Sequence, residues 1–197
     1  DQNTKYLIPK FSFKYNPGDM KNYNQTSRFL NTDNIFNYNR LGLADTFEEG
    51  KSLTYGISYK NEKQEEPDKF YELSLASSLR DKEVEFMPSY GSINKKSSNI
   101  FGSFRNNKNE YLKLKYDFAI DNNYDKFEFN SLNLIMELNN FKSDIGFIEE
   151  NGSMGSSNSI STNLSYVIND KNLISFNTRR NREIDLTEFY DFIYEYK

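Results

Sequence analysis

Apolar and polar side chains alternate along most of this chain with a period of two, the pattern of β-strands that present one apolar and one polar face. Residues 112–120 give the clearest example, because five apolar side chains at even positions are separated by Lys113, Lys115, Asp117 and Ala119. Residues 52–60 repeat the pattern. Their apolar positions are Leu53, Tyr55, Ile57 and Tyr59, and the opposite face carries Thr54, Gly56, Ser58 and Lys60. The alternation predicts a strand in each segment.

About ten strands are predicted in all, separated by segments rich in Asn, Asp, Gly and Pro, which favour turns. The predicted strands are 6–15, 52–60, 69–79, 97–105, 112–120, 126–138, 141–149, 159–168, 173–182 and 187–197. Pro9 indicates an edge strand or a bulge, since proline has no N–H for a ladder. In 126–138 the apolar positions shift by one residue, which predicts a bulge near Asn130 and Ser131.

Two segments fit more than one structure. Residues 84–87 could extend a strand before Pro88 ends it. Residues 184–192 could form a helical turn or two, but a strand is favoured. The segment 151–158 is rich in Ser and Gly and is predicted to be a loop.

The predicted connections alternate in length. Those centred near residues 33, 88, 123, 154 and 184 are mostly longer than those near 65, 107, 140 and 170. Up-and-down membrane barrels have short turns at one end and longer loops at the other. A soluble antiparallel sheet gives the same strand pattern, so the alternation leaves both architectures open.

The amino-acid composition excludes several classes of function but leaves the architecture open. Only 36% of the 197 residues are hydrophobic, and no run approaches the roughly 20 apolar residues that a membrane-spanning helix needs. The 15 Tyr and 17 Phe argue against disorder. Histidine and cysteine are absent, which excludes thiol nucleophiles, Ser-His-Asp triads and the usual zinc sites, so neither an enzyme nor a cofactor is expected. A net charge of -4 without a concentrated basic patch argues against nucleic-acid binding.

Three groups of acidic residues suggest chemistry that their context does not support. Asp121, Asn123 and Asp125 have the spacing that begins an EF-hand, but the glycine and glutamate required further on are missing, so a hairpin tip is expected. The pairs at 65–66 and 149–150 are neighbouring glutamates without an apolar pocket to shift their pKa values. They are interpreted as solvated turn charges.

The segment 33–56 resembles the LptD family of lipopolysaccharide-assembly proteins of the bacterial outer membrane. Nine positions match a family pattern of a polar loop followed by an alternating strand: Asn34, Phe36, Asn39, Arg40, Asp45, Glu48, Gly50, Tyr55 and Gly56. The ends 7–18 and 188–197 are also similar to barrel strands of that family. Glu49 stands where many members have glycine, and the family's cysteines have no counterpart here.

The resemblance implies an all-β, antiparallel, up-and-down outer-membrane β-barrel, of which residues 1–197 form one region without the periplasmic jelly roll and the closing strands. It implies lipopolysaccharide transport rather than catalysis, and a location in the cell outer membrane. The implied partners are lipopolysaccharide, outer-membrane lipid, a lipoprotein plug and the periplasmic bridge proteins. Arg40 with Asp45 and Glu48 is expected to order the loop structurally. A passive porin-like barrel and a soluble or surface β-sheet binding module are the alternatives.

Overall fold

Ten antiparallel strands form one sheet in which each strand pairs with the next along the chain. The computed structural model describes residues 3–26, 28–152 and 155–196. The strands are β1 (Asn3–Asn16), β2 (Gly50–Lys63), β3 (Phe70–Arg80), β4 (Ile100–Asn109), β5 (Leu112–Ile120), β6 (Phe127–Leu138), β7 (Phe141–Gly152), β8 (Gly155–Asn169), β9 (Asn172–Asn181) and β10 (Leu186–Tyr196). The sheet is open, with β1 and β10 at its edges. The all-β, up-and-down prediction is confirmed, and the open sheet is consistent with part of a barrel.

The strand register aligns apolar residues on one face of the sheet and polar residues on the other. One row of directly paired residues on the apolar face comprises Leu7, Tyr59, Leu73, Phe104, Tyr116, Leu132, Phe147 and Ile160. The next row, on the polar face, comprises Ile8, Ser58, Ser74, Ser103, Asp117, Ser131, Ile148 and Ser159. The predicted alternation therefore continues across strands and gives the sheet two chemically different faces.

The two longest connections, 17–49 and 81–99, pack against the polar face. The apolar core comprises Met20, Leu30, Ile35, Leu41, Leu43, Val84, Met87 and Ile93 from the connections, with Ala76, Phe101, Ala119 and Phe129 from β3 to β6. A hydrogen bond from Tyr23 N to Phe86 O, 2.8 Å long, joins the two connections. The core thus lies between the loops and the sheet. At the contact, the polar face carries alanine and phenylalanine side chains instead of polar ones.

The apolar face is left exposed by the described residues. Leu7 is 67% exposed, Phe11 73% and Ile57 44%, although side chains of this size are usually buried in a soluble protein. The pattern of burial is inverted relative to an ordinary sheet, because the polar Thr54 and Ser58 beside Ile57 are buried instead.

Several local predictions were wrong. The register shift in β6 lies between Phe127 and Phe129 rather than near 130–131, so these two phenylalanines lie on opposite faces. The predicted loop 151–158 is largely strand, with β7 continuing to Gly152 and β8 beginning at Gly155; residues 153–154 lie outside the described residues. Glu149 and Glu150 lie within β7 and are not turn charges.

Other local predictions were confirmed or need only new bounds. The segment 186–196 is a strand, as favoured. Residues 84–87 add no strand and belong to the connection between β3 and β4. The Asp121 side chain accepts hydrogen bonds from the backbone of Asp125 and Lys126 at the turn between β5 and β6, as expected of a hairpin tip. Among the described residues, no helix is both long enough and apolar enough to cross a membrane.

Candidate functional site

Short-range hydrogen bonds shape the loop that carries the family-like residues. The Asn39 side chain bonds both backbone groups of Leu43, with Nδ2 donating to the carbonyl at 2.7 Å and Oδ1 accepting from the amide at 3.0 Å. Gly42 lies inside this turn with φ +66°, a left-handed conformation that glycine adopts without strain. The turn fixes the backbone on both sides of Arg40 and directs its side chain toward the sheet.

The Arg40 guanidinium is completely buried against the polar face of β2 and β3. Its Nε and Nη2 donate to the two carboxylate oxygens of Glu48, each at 2.7 Å. The remaining bonds go to three hydroxyl groups of the sheet, those of Ser52, Thr54 and Ser78, at 2.8–3.3 Å. A planar guanidinium matches a carboxylate in this bidentate geometry, and the hydroxyls satisfy its outer N–H groups. Arg40 therefore fastens the loop to the sheet.

Glu48 is surrounded by three cations. Besides Arg40, Arg80 Nη1 lies 3.2 Å from its Oε2 and Lys14 Nζ lies 3.7 Å from its Oε1. The side chains of Lys14 and Glu48 are 12% and 8% exposed, so water screens these charges weakly. The cluster of Lys14, Arg40, Arg80 and Glu48 therefore contains three positive charges and one negative charge.

Burial by itself raises the pKa of Glu48, because it penalises the charged form. The hydrogen bonds and positive charge of Arg40, with the charges of Lys14 and Arg80, outweigh burial and hold the pKa of Glu48 below its ordinary value. The carboxylate therefore remains charged in its folded environment at neutral pH.

Phe36 and Gly56 form the second contact between the loop and the sheet. A Cβ atom at position 56 would lie 2.9 Å from Phe36 Cζ and 2.6 Å from the carbonyl oxygen of Leu75. Gly56 therefore provides the space that the ring occupies. This close approach explains why glycine stands on the polar face of β2 at this position.

The other matched positions do not join this cluster. The Asn34 side chain bonds the backbone of Asn31 and Phe29 within its own turn. Asp45 does not pair with Arg40; it bonds Lys21 and Tyr23 on the surface. Gly50 begins β2 with φ +79°, and Tyr55 lies on the opposite, apolar face. Of the three residues expected to order the loop, Arg40 and Glu48 therefore pair with each other and Asp45 does not join them.

Sequence reasoning missed five members of the cluster: Lys14, Ser52, Thr54, Ser78 and Arg80. The alternation of 52–60 placed Ser52 and Thr54 on the polar face of that strand, but it carries no information about which polar residues a distant loop will contact. Arg80 was assigned to a connection instead of the end of β3. Its Nε has no hydrogen-bond partner among the described residues.

The polar face of β7 to β9 contains a surface depression to which neither long connection contributes a lining residue. A cavity of about 240 Å³ there is lined by Lys142, Asp144, Asn163, Leu164, Ser165, Ser175 and Asn177. Hydroxyl, amide and charged groups dominate this lining. Such groups can hydrogen-bond sugars, phosphates or water.

Comparison with family models finds no match for this sequence. Comparison with curated proteins finds no significant match either.

Proposed function

We propose that this chain forms part of the wall of an outer-membrane β-barrel of the lipopolysaccharide-assembly type. In this proposal the apolar face contacts lipid and the polar face lines an internal passage for the sugar and phosphate portion of a glycolipid. The resemblance of residues 33–56 to the LptD family supplies the substrate class. The inverted burial of the sheet is the observation that carries the membrane assignment.

A sheet face that exposes large apolar side chains from one edge to the other is costly in water and favourable in hydrocarbon. Exposed apolar patches on soluble monomers rarely exceed a few hundred Å². Here the large side chains above 35% exposure on this face extend from Leu7 and Phe11 in β1 to Phe192 and Tyr194 in β10. Barrel strands in membranes alternate apolar residues toward lipid with polar residues toward the lumen. Membrane insertion accounts for both faces at once.

The loop packed on the polar face also fits a barrel interior. Arg40 and Glu48 hold the connection 17–49 against the inside of the wall, where it narrows the passage. The depression lined by Ser and Asn side chains of β7 to β9 stays open. A wall of hydroxyl and amide groups keeps sugars and phosphates hydrated or hydrogen-bonded during passage. The proposed role is transport, with no covalent step.

Refolding of the chain into detergent micelles and into vesicles containing lipopolysaccharide tests the membrane assignment. We expect migration in electrophoresis that changes with heating, and resistance to extraction from vesicles at alkaline pH. A stable, monodisperse monomer in buffer without detergent would contradict the assignment and would favour a soluble binding module.

Photo-crosslinking separates lipopolysaccharide transport from a passive pore. A photoreactive residue replacing Asn177, on the polar face, should crosslink to lipopolysaccharide, whereas the same residue replacing neighbouring Phe176 should crosslink to phospholipid. Absence of lipopolysaccharide adducts at position 177 in a correctly inserted protein would favour the porin-like alternative.

A further inference from the structure

A pocket of about 610 Å³ opens on the apolar face, at the end of the sheet that carries the short turns. Ligand pockets of proteins commonly have volumes of about 300–1,000 Å³. On the apolar face, Tyr71 pairs with Asn106 and is followed by the pair of Leu73 with Phe104. The pocket is lined by three aromatic and three charged side chains, those of Tyr71, Phe104, Tyr111, Lys69, Lys108 and Glu110. It therefore combines an apolar surface with charges of both signs.

Local hydrogen bonds build the wall of this pocket at the end of β4. The register of β4 with β5 shifts between Asn106 and Asn109, which marks a bulge. Asn106 Oδ1 accepts a hydrogen bond from the backbone N–H of Lys108 at 3.0 Å, and Asn109 Oδ1 accepts one from Tyr111 at 2.8 Å. Side chains of this kind fix a turn through their own backbone. The two asparagines thus set the backbone positions of Lys108 and Tyr111.

The charges in the pocket are only partly paired. Lys69 forms an ion pair with Glu66 in the preceding turn. Lys108 Nζ lies 5.6 Å from the centroid of the Tyr71 ring, and it forms no ion pair with a carboxylate of the described residues. Glu110 likewise forms no ion pair with a described cation. One positive and one negative charge in the same pocket are therefore available to a ligand.

We propose that this pocket binds the head group of a zwitterionic phospholipid of the phosphatidylethanolamine type. Lys108 binds the phosphate, and Glu110 binds the ammonium group. The inference rests on the proposed function, because it requires the apolar face to be in contact with lipid. It adds a lipid-binding site on the outer surface, apart from the passage along the polar face.

The position of the pocket fits the boundary between head groups and hydrocarbon. The connections at this end are short, at 64–69 and 110–111, whereas the long connections lie at the other end. Membrane barrels carry short turns on the periplasmic side and bands of aromatic residues at the interfaces. Toward the middle of the same face, Leu73 is 43% and Leu75 38% exposed. A lipid with its head group in the pocket can therefore lay its acyl chains along these leucines.

The paired charges favour a zwitterionic head group over an anionic one. The Lys108 ammonium donates hydrogen bonds to a phosphate, and Lys69 retains N–H donors for the same group although it is paired with Glu66. An anionic head group without a cation would bring a second negative charge toward Glu110, which disfavours binding.

Glu110 also distinguishes between two zwitterionic head groups. A primary ammonium group donates hydrogen bonds to a carboxylate, and such charge-assisted bonds are stronger than neutral ones. A choline group has no N–H and can bind only through charge and through the faces of the Tyr71 and Tyr111 rings. We therefore expect the ethanolamine head group to bind more tightly than choline.

The turn between β8 and β9 provides a matched control at the same end of the sheet. Asp170 and Lys171 line a smaller depression of about 160 Å³ there, together with Val167 and Leu173. This depression has charges of both signs but no aromatic lining residue. It is not expected to retain a phospholipid head group.

Native mass spectrometry of the full chain, refolded in detergent, tests the proposal. The probe is an equimolar mixture of phosphatidylethanolamine, phosphatidylcholine and phosphatidylglycerol with identical acyl chains. We expect the chain to retain at least about fivefold more phosphatidylethanolamine than either competitor, since a hydrogen bond to a charged group is lost with each. Lys108→Gln should reduce this adduct about tenfold, whereas Lys171→Gln should leave it unchanged. Glu110→Gln should abolish the preference over phosphatidylcholine.

Two results would overturn the inference. One is equal retention of the three lipids, or retention that Lys108→Gln does not alter. The other is a preference for phosphatidylglycerol, which would show a site for anionic head groups. Heat-modifiable migration, measured on each sample, separates these results from failure of the proposed function. A chain that inserts but retains the lipids equally refutes the head-group site alone, and a chain that remains a soluble monomer without detergent refutes both.

Discussion

Arg40 and Glu48 are eight residues apart in one loop, and their side chains meet through two hydrogen bonds of 2.7 Å while almost completely buried against the sheet. Burial of two charges is costly, and their attraction offsets this cost only when the geometry is good and the remaining groups are bonded. Three hydroxyls of β2 and β3 complete the bonding of Arg40. The pair therefore couples the loop conformation to strand pairing.

Arg40→Met should release the connection 17–49 from the sheet. The substitution leaves Glu48 buried with weaker partners, and loss of one partner of a buried pair destabilises by about 3–5 kcal/mol. We expect rapid hydrogen exchange and protease cleavage within residues 17–49, with the strands retained. Hydrogen exchange of the refolded protein, resolved by peptide, measures the effect.

The pair Arg105 with Asp33 is a matched control, because it also joins this loop to the sheet. Its side chains are 31% and 51% exposed, in contrast to the buried pair. Exposed pairs contribute about 0–1 kcal/mol, so Arg105→Met should alter exchange in the loop little. Equal effects of the two substitutions would show that burial of Arg40 does not fasten the loop.

The pKa of Glu48 predicts loss of loop order in acid. Because this pKa is lower in the folded protein than the ordinary value of 4.5, the carboxylate contributes stability that is fully present above about pH 4.5 and is lost as the pH falls through the folded pKa. Protease protection of residues 17–49, measured from pH 7 to pH 3, should remain constant and then decline.

Glu48→Gln identifies the group responsible for this decline. The variant cannot titrate at position 48, and it leaves Arg40 without its carboxylate, so protection should be low already at pH 7 and should change less with acid. A decline in Glu48→Gln of the same size as in the native chain would assign the acid response to other carboxylates.

The alternation of the sequence predicted the two faces of the sheet but not what covers them. Thr54 and Ser58 were correctly placed on a polar face, yet their burial under a loop depends on contacts between distant residues. Phe101 and Phe129 lie on the polar face and pack in one core with Leu30 and Ile35 of the long loop. A period-two pattern does not show where a loop will place apolar side chains against a polar face. The resemblance, rather than the pattern, identified Arg40.

The ends of strands were also difficult to predict, for a physical reason. Ser, Asn and Gly in the segment 151–158 favour turns as isolated residues, but at 151–152 and 155–158 the pairing of β7 with β8 satisfies the backbone and overrides that preference. The bulge in β6 occurs at Glu128, where Ile120 pairs with Phe127 and Ala119 with Phe129. The change from odd to even apolar positions in the sequence located this bulge only to within a few residues.

Gly56→Ala should separate the loop from the sheet without changing any charge. The added methyl group would lie 2.6 Å from the backbone oxygen of Leu75 and 2.9 Å from the Phe36 ring, so either the strand or the ring must move. Such overpacking costs about 1–3 kcal/mol. We expect faster hydrogen exchange around Phe36 and a lower unfolding temperature.

Gly146→Ala is the corresponding control on the polar face of β7. Its methyl group would meet Ser161 Oγ at 2.6 Å, a side-chain atom that can rotate away, and the long loop does not contact this position. Its effect on the loop should be negligible. If both variants accelerated exchange near Phe36 equally, the close fit of Gly56 and Phe36 would not explain loop docking.

Lysine substitution on the two faces of β8 distinguishes a lipid-facing sheet from a soluble one. Leu164 lies on the apolar face and adjacent Asn163 on the polar face. A lysine facing the bilayer centre costs about 2–4 kcal/mol, while one facing the lumen is tolerated. In a membrane, Leu164→Lys should therefore lower the denaturant midpoint of unfolding substantially, and Asn163→Lys should leave it nearly unchanged. In a soluble sheet, where water covers both faces, the two substitutions should both have small effects. Unfolding midpoints measured in vesicles of defined lipid composition decide between these outcomes, because only contact with hydrocarbon makes the cost depend on the face.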